Sequence, residues 1–201
     1  MALCLPLSAK ANLVDNPGFE DRHYISAAFR KAGSFRSRAE AEVWLMSMSE
    51  RVKRWMPDKR TRYQFLRQVH RQSALNGIPP EVVLAVIYVE SRFNSKAISS
   101  ADARGLMQVM PFWTSAMGGG KKQDDLHDMQ TNIRYGTAIL AHYLKKEKGD
   151  WERALARYNG SLGKTWYPDK VFNALNNKIL ITPESRNRIV AAMEQTSARL
   201  Y

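Results

Sequence analysis

The feature that most constrains this chain is an unbroken apolar run of eight residues, Val82 to Val89, set between Pro79-Pro80-Glu81 and Glu90. A membrane-spanning helix needs about twenty apolar residues, so the run is too short to cross a bilayer. It is apolar on nearly every face, so whatever it forms must be enclosed by the rest of the chain. Its β-branched content admits a buried strand. The Pro-Pro-Glu start favours a core helix, because proline and acid both suit a first turn. The chain has 201 residues, 44% hydrophobic and 25% charged, which excludes wholesale disorder. A protein of this length buries roughly 70% of its extended-chain surface, enough for one domain without metals or disulfides. The single cysteine, Cys4, rules out an intrachain disulfide framework and a Cys-rich zinc site.

Around this run the sequence reads as helical. Asn16-Pro17-Gly18 punctuates the start, and residues 21–32 form a short helix. A longer helix covers residues 37–55, with Ala39, Val43, Leu45, Met46 and Val52 as packing candidates, until Pro57 interrupts it. Asp58 caps the next helix, which carries Tyr63, Leu66, Val69 and Leu75 and stops at Gly77. Beyond Gly118-Gly119-Gly120, helices are predicted over 129–146, 151–158 and 167–177. A last one opens with Thr182 as cap and Pro183 in its first position. There is no convincing alternating strand. The expected class is mainly α with little or no sheet. The division expected is 1–58 as an N-terminal segment and basic helical extension, 59–178 as the main domain, and 179–201 as a C-terminal helix.

The net charge is +12 and is uneven: residues 21–71 hold 13 basic against 5 acidic side chains. A basic surface steers toward any polyanion, whether nucleic acid, anionic lipid or an anionic wall. Nucleic acid is the disfavoured choice, since no homeodomain, RNP or zinc-finger pattern is present. At the amino end, ALCLPLSA is mostly apolar and Ala9-Lys10-Ala11 has the small-x-small form of a signal-peptidase site. A basic n-region is missing. The stretch reads either as the stump of a secretory signal starting upstream or as a chance match. Cys4 follows Leu3 rather than a small residue, so no lipid anchor is expected.

Glu90 is the residue most indicative of chemistry. It lies four residues after Val86 and seven after Val83, on a face expected to be buried. Burial and the negative end of its own helix both disfavour the ionised form and raise the pKa, which suits a general acid near neutral pH. The structural alternative is an ion pair with Arg92 or Arg104, or a solvated helix end. Ser91, Asn94, Ser99, Ser100, Asp102 and Gln108 follow closely. Trp113, Tyr158, Trp166 and Tyr167 supply flat faces of the kind that pair with sugar rings, although aromatics are also ordinary core residues.

Taken in order, Glu90-Ser91-x-Phe93-Asn94, Ser99, Ala103-Arg104-Gly105-Leu106-Met107-Gln108-Val109-Met110-Pro111, Asn132-Ile133, Gly136 and Ala156-Arg157-Tyr158-Asn159 resemble the catalytic domain of the Slt-type, family 1 lytic transglycosylases. The resemblance covers roughly residues 65–175 and implies a lysozyme-like helical fold. It departs from the common family pattern at Ser95, at Asp102-Ala103 and at Gly160-Ser161-Leu162-Gly163, all in loops.

The resemblance implies a single catalytic acid/base at Glu90. It implies glycan contacts at Ser99, Gln108 and Met110, a hydroxyl directed at the acid from Tyr158, a turn-shaping role for Asn159, and a core role for Met107. It implies the β-1,4 bond between N-acetylmuramic acid and N-acetylglucosamine as target and 1,6-anhydromuramoyl ends as product. No metal or organic cofactor is implied. Peptidoglycan glycan strands are the expected partner, with envelope proteins as further partners. The expected location is the bacterial cell envelope, in the periplasm, with peripheral contact and no transmembrane span. A hydrolytic muramidase of the same fold and a non-catalytic wall-binding scaffold remain as alternatives.

Overall fold

The computed structural model describes residues 37–116, 123–180 and 182–200. The expected 21–32 helix, the signal-like stretch, Cys4 and the triple-glycine break lie outside them. The described residues form α1 (Arg38–Val52), α2 (Lys59–Asn76), α3 (Pro80–Ser91), α4 (Trp113–Ala116), a 3₁₀ turn (Gln123–His127) and α5 (Met129–Lys146). They continue with α6 (Trp151–Asn159), α7 (Trp166–Ala174), a π turn (Leu175–Ile179) and α8 (Pro183–Ala198). Extended pairing among them is limited to two isolated bridges, Ile98–Arg104 and Arg104–Val109. The fold is thus mainly helical, consistent with a lysozyme-like catalytic domain.

The apolar run is the centre of the molecule. Pro80 occupies the first turn of α3, and Val82 through Ile87 are wholly enclosed. Helix rather than strand wins here because proline costs a helix nothing at its first position. α3 packs against α2, α7 and the π turn, while α2, α5, α6 and α7 pack successively around it. The helix limits are set by local chemistry. Asp58, Asp128 and Asp150 each accept a bond from the backbone N–H three residues on, satisfying a donor the helix leaves free. Gly77 ends α2 in the left-handed conformation. α1 joins the same core through Ala41, Leu45, Met48 and Val52, and its Trp44 Nε1 donates to the buried Glu81 at 2.9 Å.

Three packing expectations fail. Ala39 is exposed, Val43 is 66% exposed and Leu75 is 70% exposed. The buried stripe of α1 runs through 41, 45, 48 and 52, and Val43 lies about 200° around the helix from Ala41 and from Leu45. Leu75 sits past the last residue of the α2 stripe, which ends at Ser73.

Candidate active site

Glu90 lies in the last turn of α3, and its Oε1 accepts a hydrogen bond of 2.5 Å from the Tyr167 hydroxyl on α7. The alternative ion pairs do not form. The Arg92 guanidinium stacks over the Tyr88 ring at 3.9 Å, and Arg104 binds Asp102 at 2.9 Å. Burial therefore dominates and pushes the Glu90 carboxyl up to about 7, with the Tyr167 bond pulling the other way. Near neutrality such a group can both give and take a proton. Burial and the neighbouring Glu90 charge hold the phenols of Tyr158 and Tyr167 well above their usual range, so both remain donors.

The hydroxyl of Tyr158, on α6, which the resemblance directs toward the acid, makes its hydrogen bond to the adjoining loop. It donates to the Met107 carbonyl at 2.7 Å, while the ring stays within the electrostatic reach of Glu90. The α6 helix is held by Glu147, whose nearly enclosed carboxylate binds Arg153 at 2.7 Å and Arg157 at 2.5 Å. Tyr167 is the phenol on the acid. In the sequence it stood only as one of several flat aromatics. Its position 77 residues from Glu90 left no local signal beyond its place on an α7 face shared with Val171 and Ala174.

The segment from Ser91 to Pro111 is fixed to the helices by a few buried polar groups. The Ser91 hydroxyl reaches the Leu106 carbonyl at 2.8 Å. Asn132, enclosed on α5, accepts from Met107 N–H at 2.7 Å and donates to the carbonyls of Arg104 and Leu126 at 2.7 and 2.8 Å. Close approach requires glycine at two places. A Cβ on Gly105, whose φ is +75°, would lie 2.3 Å from Asn132 Nδ2, and one on Gly136 would lie 2.5 Å from Met107 Cβ. Met107 is fully buried, as expected of a core residue.

The remaining expected contacts shape this segment. Ser99 Oγ accepts from the N–H groups of Ala101 and Ala103 at 3.2 and 3.0 Å. Gln108, at φ +47°, donates its amide to Ala97 and Gly105 carbonyls at 3.2 and 2.9 Å. Met110 is half-buried at the end of the segment, and Asn159 is exposed at the end of α6, before Gly160. Among the described residues, no hydrogen bond joins Ser99, Gln108, Met110 or Asn159 to Glu90. Nor is there a group of three or more His, Cys, Asp or Glu placed to hold a metal ion.

A half-buried acid at a helix end, bonded to a phenol and followed directly by a tightly tied loop, suggests a class that comparison makes specific. Residues 68–181 match the Transglycosylase SLT domain, and the chain belongs to that family. It is similar to the membrane-bound lytic murein transglycosylases C of Yersinia pestis (strain Pestoides F) and Yersinia pseudotuberculosis serotype O:1b (strain IP 31758). Each is 32% identical over 135 residues, covering 60% of this chain. The match spans 37% of the length of each of these relatives.

Proposed function

We propose that this chain is a peptidoglycan lytic transglycosylase with Glu90 as its single acid/base, and that residues 59–178 are its catalytic domain. The observation that carries this is the half-buried Glu90 carboxyl, raised to about 7 by desolvation and bonded to Tyr167 rather than to a cation. Glu90, protonated, donates to the glycosidic oxygen as the bond from C1 of N-acetylmuramic acid breaks. The substrate's own acetamido group supports the cationic carbon, so no second carboxylate is required of the kind ordinary glycosidases use. Glu90, now ionised, takes the proton of the C6 hydroxyl as that oxygen bonds to C1. The proton given is regained, no water is consumed, and a 1,6-anhydromuramoyl end results. No cofactor enters the sequence.

Tyr167 donates to the carboxylate and stabilises it between the two steps. Tyr158 holds the Met107 carbonyl and so the loop beside the acid. Ser99, Gln108, Met110 and Asn159 are assigned to the walls of the glycan cleft. Among the described residues no helix is long and apolar enough to cross a membrane. The protein is assigned to the cell envelope, facing the periplasmic wall. The basic residues of 21–71 favour contact with that anionic surface.

Digestion in water enriched in heavy oxygen tests the reaction type. Transglycosylation leaves no label at muramoyl C1, whereas labelled reducing ends would make the protein a muramidase. The role of Tyr167 is tested by Tyr167→Phe. Its hydrogen bond favours the ionised acid, so its loss raises the Glu90 pKa and moves the alkaline limb of kcat/KM upward by about one pH unit. An unmoved limb would remove Tyr167 from the proton-handling apparatus.

A further inference from the structure

A concave site lies along the seam between α3 and α7. It is a groove of about 450 Å³ lined by Tyr88, Val89, Arg92, Asp169, Lys170, Asn173, Ala174 and Lys178. That volume falls within the roughly 300–1,000 Å³ of ordinary ligand clefts. Tyr167, Lys170 and Ala174 fall on one stripe of α7, so Lys170 and Ala174 are about 4.5 and 10.5 Å along the helix from the phenol bonded to Glu90. The groove thus begins one turn along α7 from the tyrosine bonded to Glu90. On α3, Tyr88 is about 200° around the helix from Glu90, so the groove opens on a different flank from the carboxylate.

Its chemistry is specific. Arg92, Lys170 and Lys178 are three exposed cations, and none makes an ion pair among the described residues. Arg92 is held over the Tyr88 ring at 3.9 Å, and the Lys170 ammonium lies 4.9 Å from the Trp166 ring centroid. One acid, Asp169, stands among them, and Val89 and the buried Ala174 give apolar lining. Arg92 is also strained. It caps α3 at φ +53°, a left-handed position where glycine would be at ease. An arginine kept there points to a use for its side chain. Three cations, one carboxylate and apolar walls match a short chain with several carboxylates, one amine and small apolar groups. They match a polymer of closely spaced phosphates poorly, because Asp169 would repel it.

We propose that this groove binds a short peptide with two or three carboxylates and a free amine. Resting on the function proposed above, we assign that ligand as the peptide stem carried by the glycan strand being cut. The groove would then read whether the sugar at Glu90 is substituted.

The test has two arms on the full chain. In the first, N-acetyl-L-alanyl-γ-D-glutamyl-meso-diaminopimelate is titrated and followed by backbone amide shifts. The expected result is perturbation at Arg92, Lys170, Asn173 and Ala174. A Kd about ten-fold weaker is expected in Lys170→Ala/Lys178→Ala, two exposed positions whose change leaves the circular dichroism spectrum unaltered. Equal binding by the fully amidated peptide, by the double variant, or tighter binding of single-stranded oligothymidine would overturn the site. In the second arm, strands are compared before and after amidase removal of their stems. Wild-type KM should rise about five-fold on stripped strands with kcat unchanged, and the double variant should show no difference. Peptide binding with equal KM on both strands would overturn the stem assignment and leave a site for free acidic peptides. Peptide binding without cleavage of either strand would overturn the proposed function and leave the groove.

Discussion

Replacing Glu90 with glutamine is expected to abolish strand cleavage and, above neutral pH, to make the protein more stable. The two effects have one origin. Glutamine is nearly isosteric and its oxygen can still accept from Tyr167, but it has no proton to give. General acid–base catalysis contributes about 10²–10⁴-fold, and in the proposed reaction one group serves both steps, so a loss of at least about 1,000-fold is expected. The stability effect follows from the raised pKa. The folded carboxyl sits at about 7 against 4.5 for the ordinary group. Folding therefore favours the protonated form. The wild-type advantage is full below about pH 4.5 and is lost as pH rises to about 7. At about pH 8 the ionised, partly desolvated carboxylate costs roughly 3 kcal/mol, which the glutamine variant avoids. Urea unfolding of both proteins at acid and alkaline pH measures this directly. A stability gap that stays constant between the two would show that Glu90 is not held neutral by burial.

Asn132→Ala is expected to cost about 3–5 kcal/mol and to loosen the loop beside the acid. The substitution strands the Met107 N–H and the Leu126 carbonyl and takes one of two donors from the Arg104 carbonyl, which keeps the Val109 N–H at 2.9 Å, so the link between α5, the 3₁₀ turn and the segment carrying Gln108 is lost. Each buried polar group left unpaired costs about 1–3 kcal/mol, and water entering the gap recovers part of it. The expected signature is a lower urea midpoint together with faster amide exchange at Met107. A midpoint unchanged from wild type would mean that the loop is held by other contacts. Asn132→Asp keeps the acceptor for Met107 but loses both donations, so it should fall near the alanine variant.

The parts of the fold that were legible in the sequence are those fixed by local chemistry. Pro80 at the head of the apolar run, Asp58 and Gly77 around α2, and the Thr182-Pro183 start of α8 all carry their meaning within one helical turn. The acid was legible for the same reason, since its spacing from Val83 and Val86 places it on an enclosed face. Val43 and Leu75 misled because apolarity alone does not say which face of a polar helix is turned inward. Tyr167 was not legible as the acid's partner. Which phenol reaches Glu90 depends on how α7 crosses α3, and nothing near residue 167 encodes that. Ser99 and Gln108 present a related difficulty. Their side chains are drawn to the backbone of their own loop, a consequence of left-handed residues such as Asp102 and Gln108 that sequence spacing does not announce.

The most direct test of the central claim is a digest of purified sacculi by the wild-type protein and by Glu90→Gln, with released muropeptides weighed by mass spectrometry. The account predicts wild-type products lighter by one water than their reducing-end equivalents, and none from the folded variant. Products of the same kind and amount from Glu90→Gln, or no products from well-folded wild-type protein on several sacculus types, would contradict it.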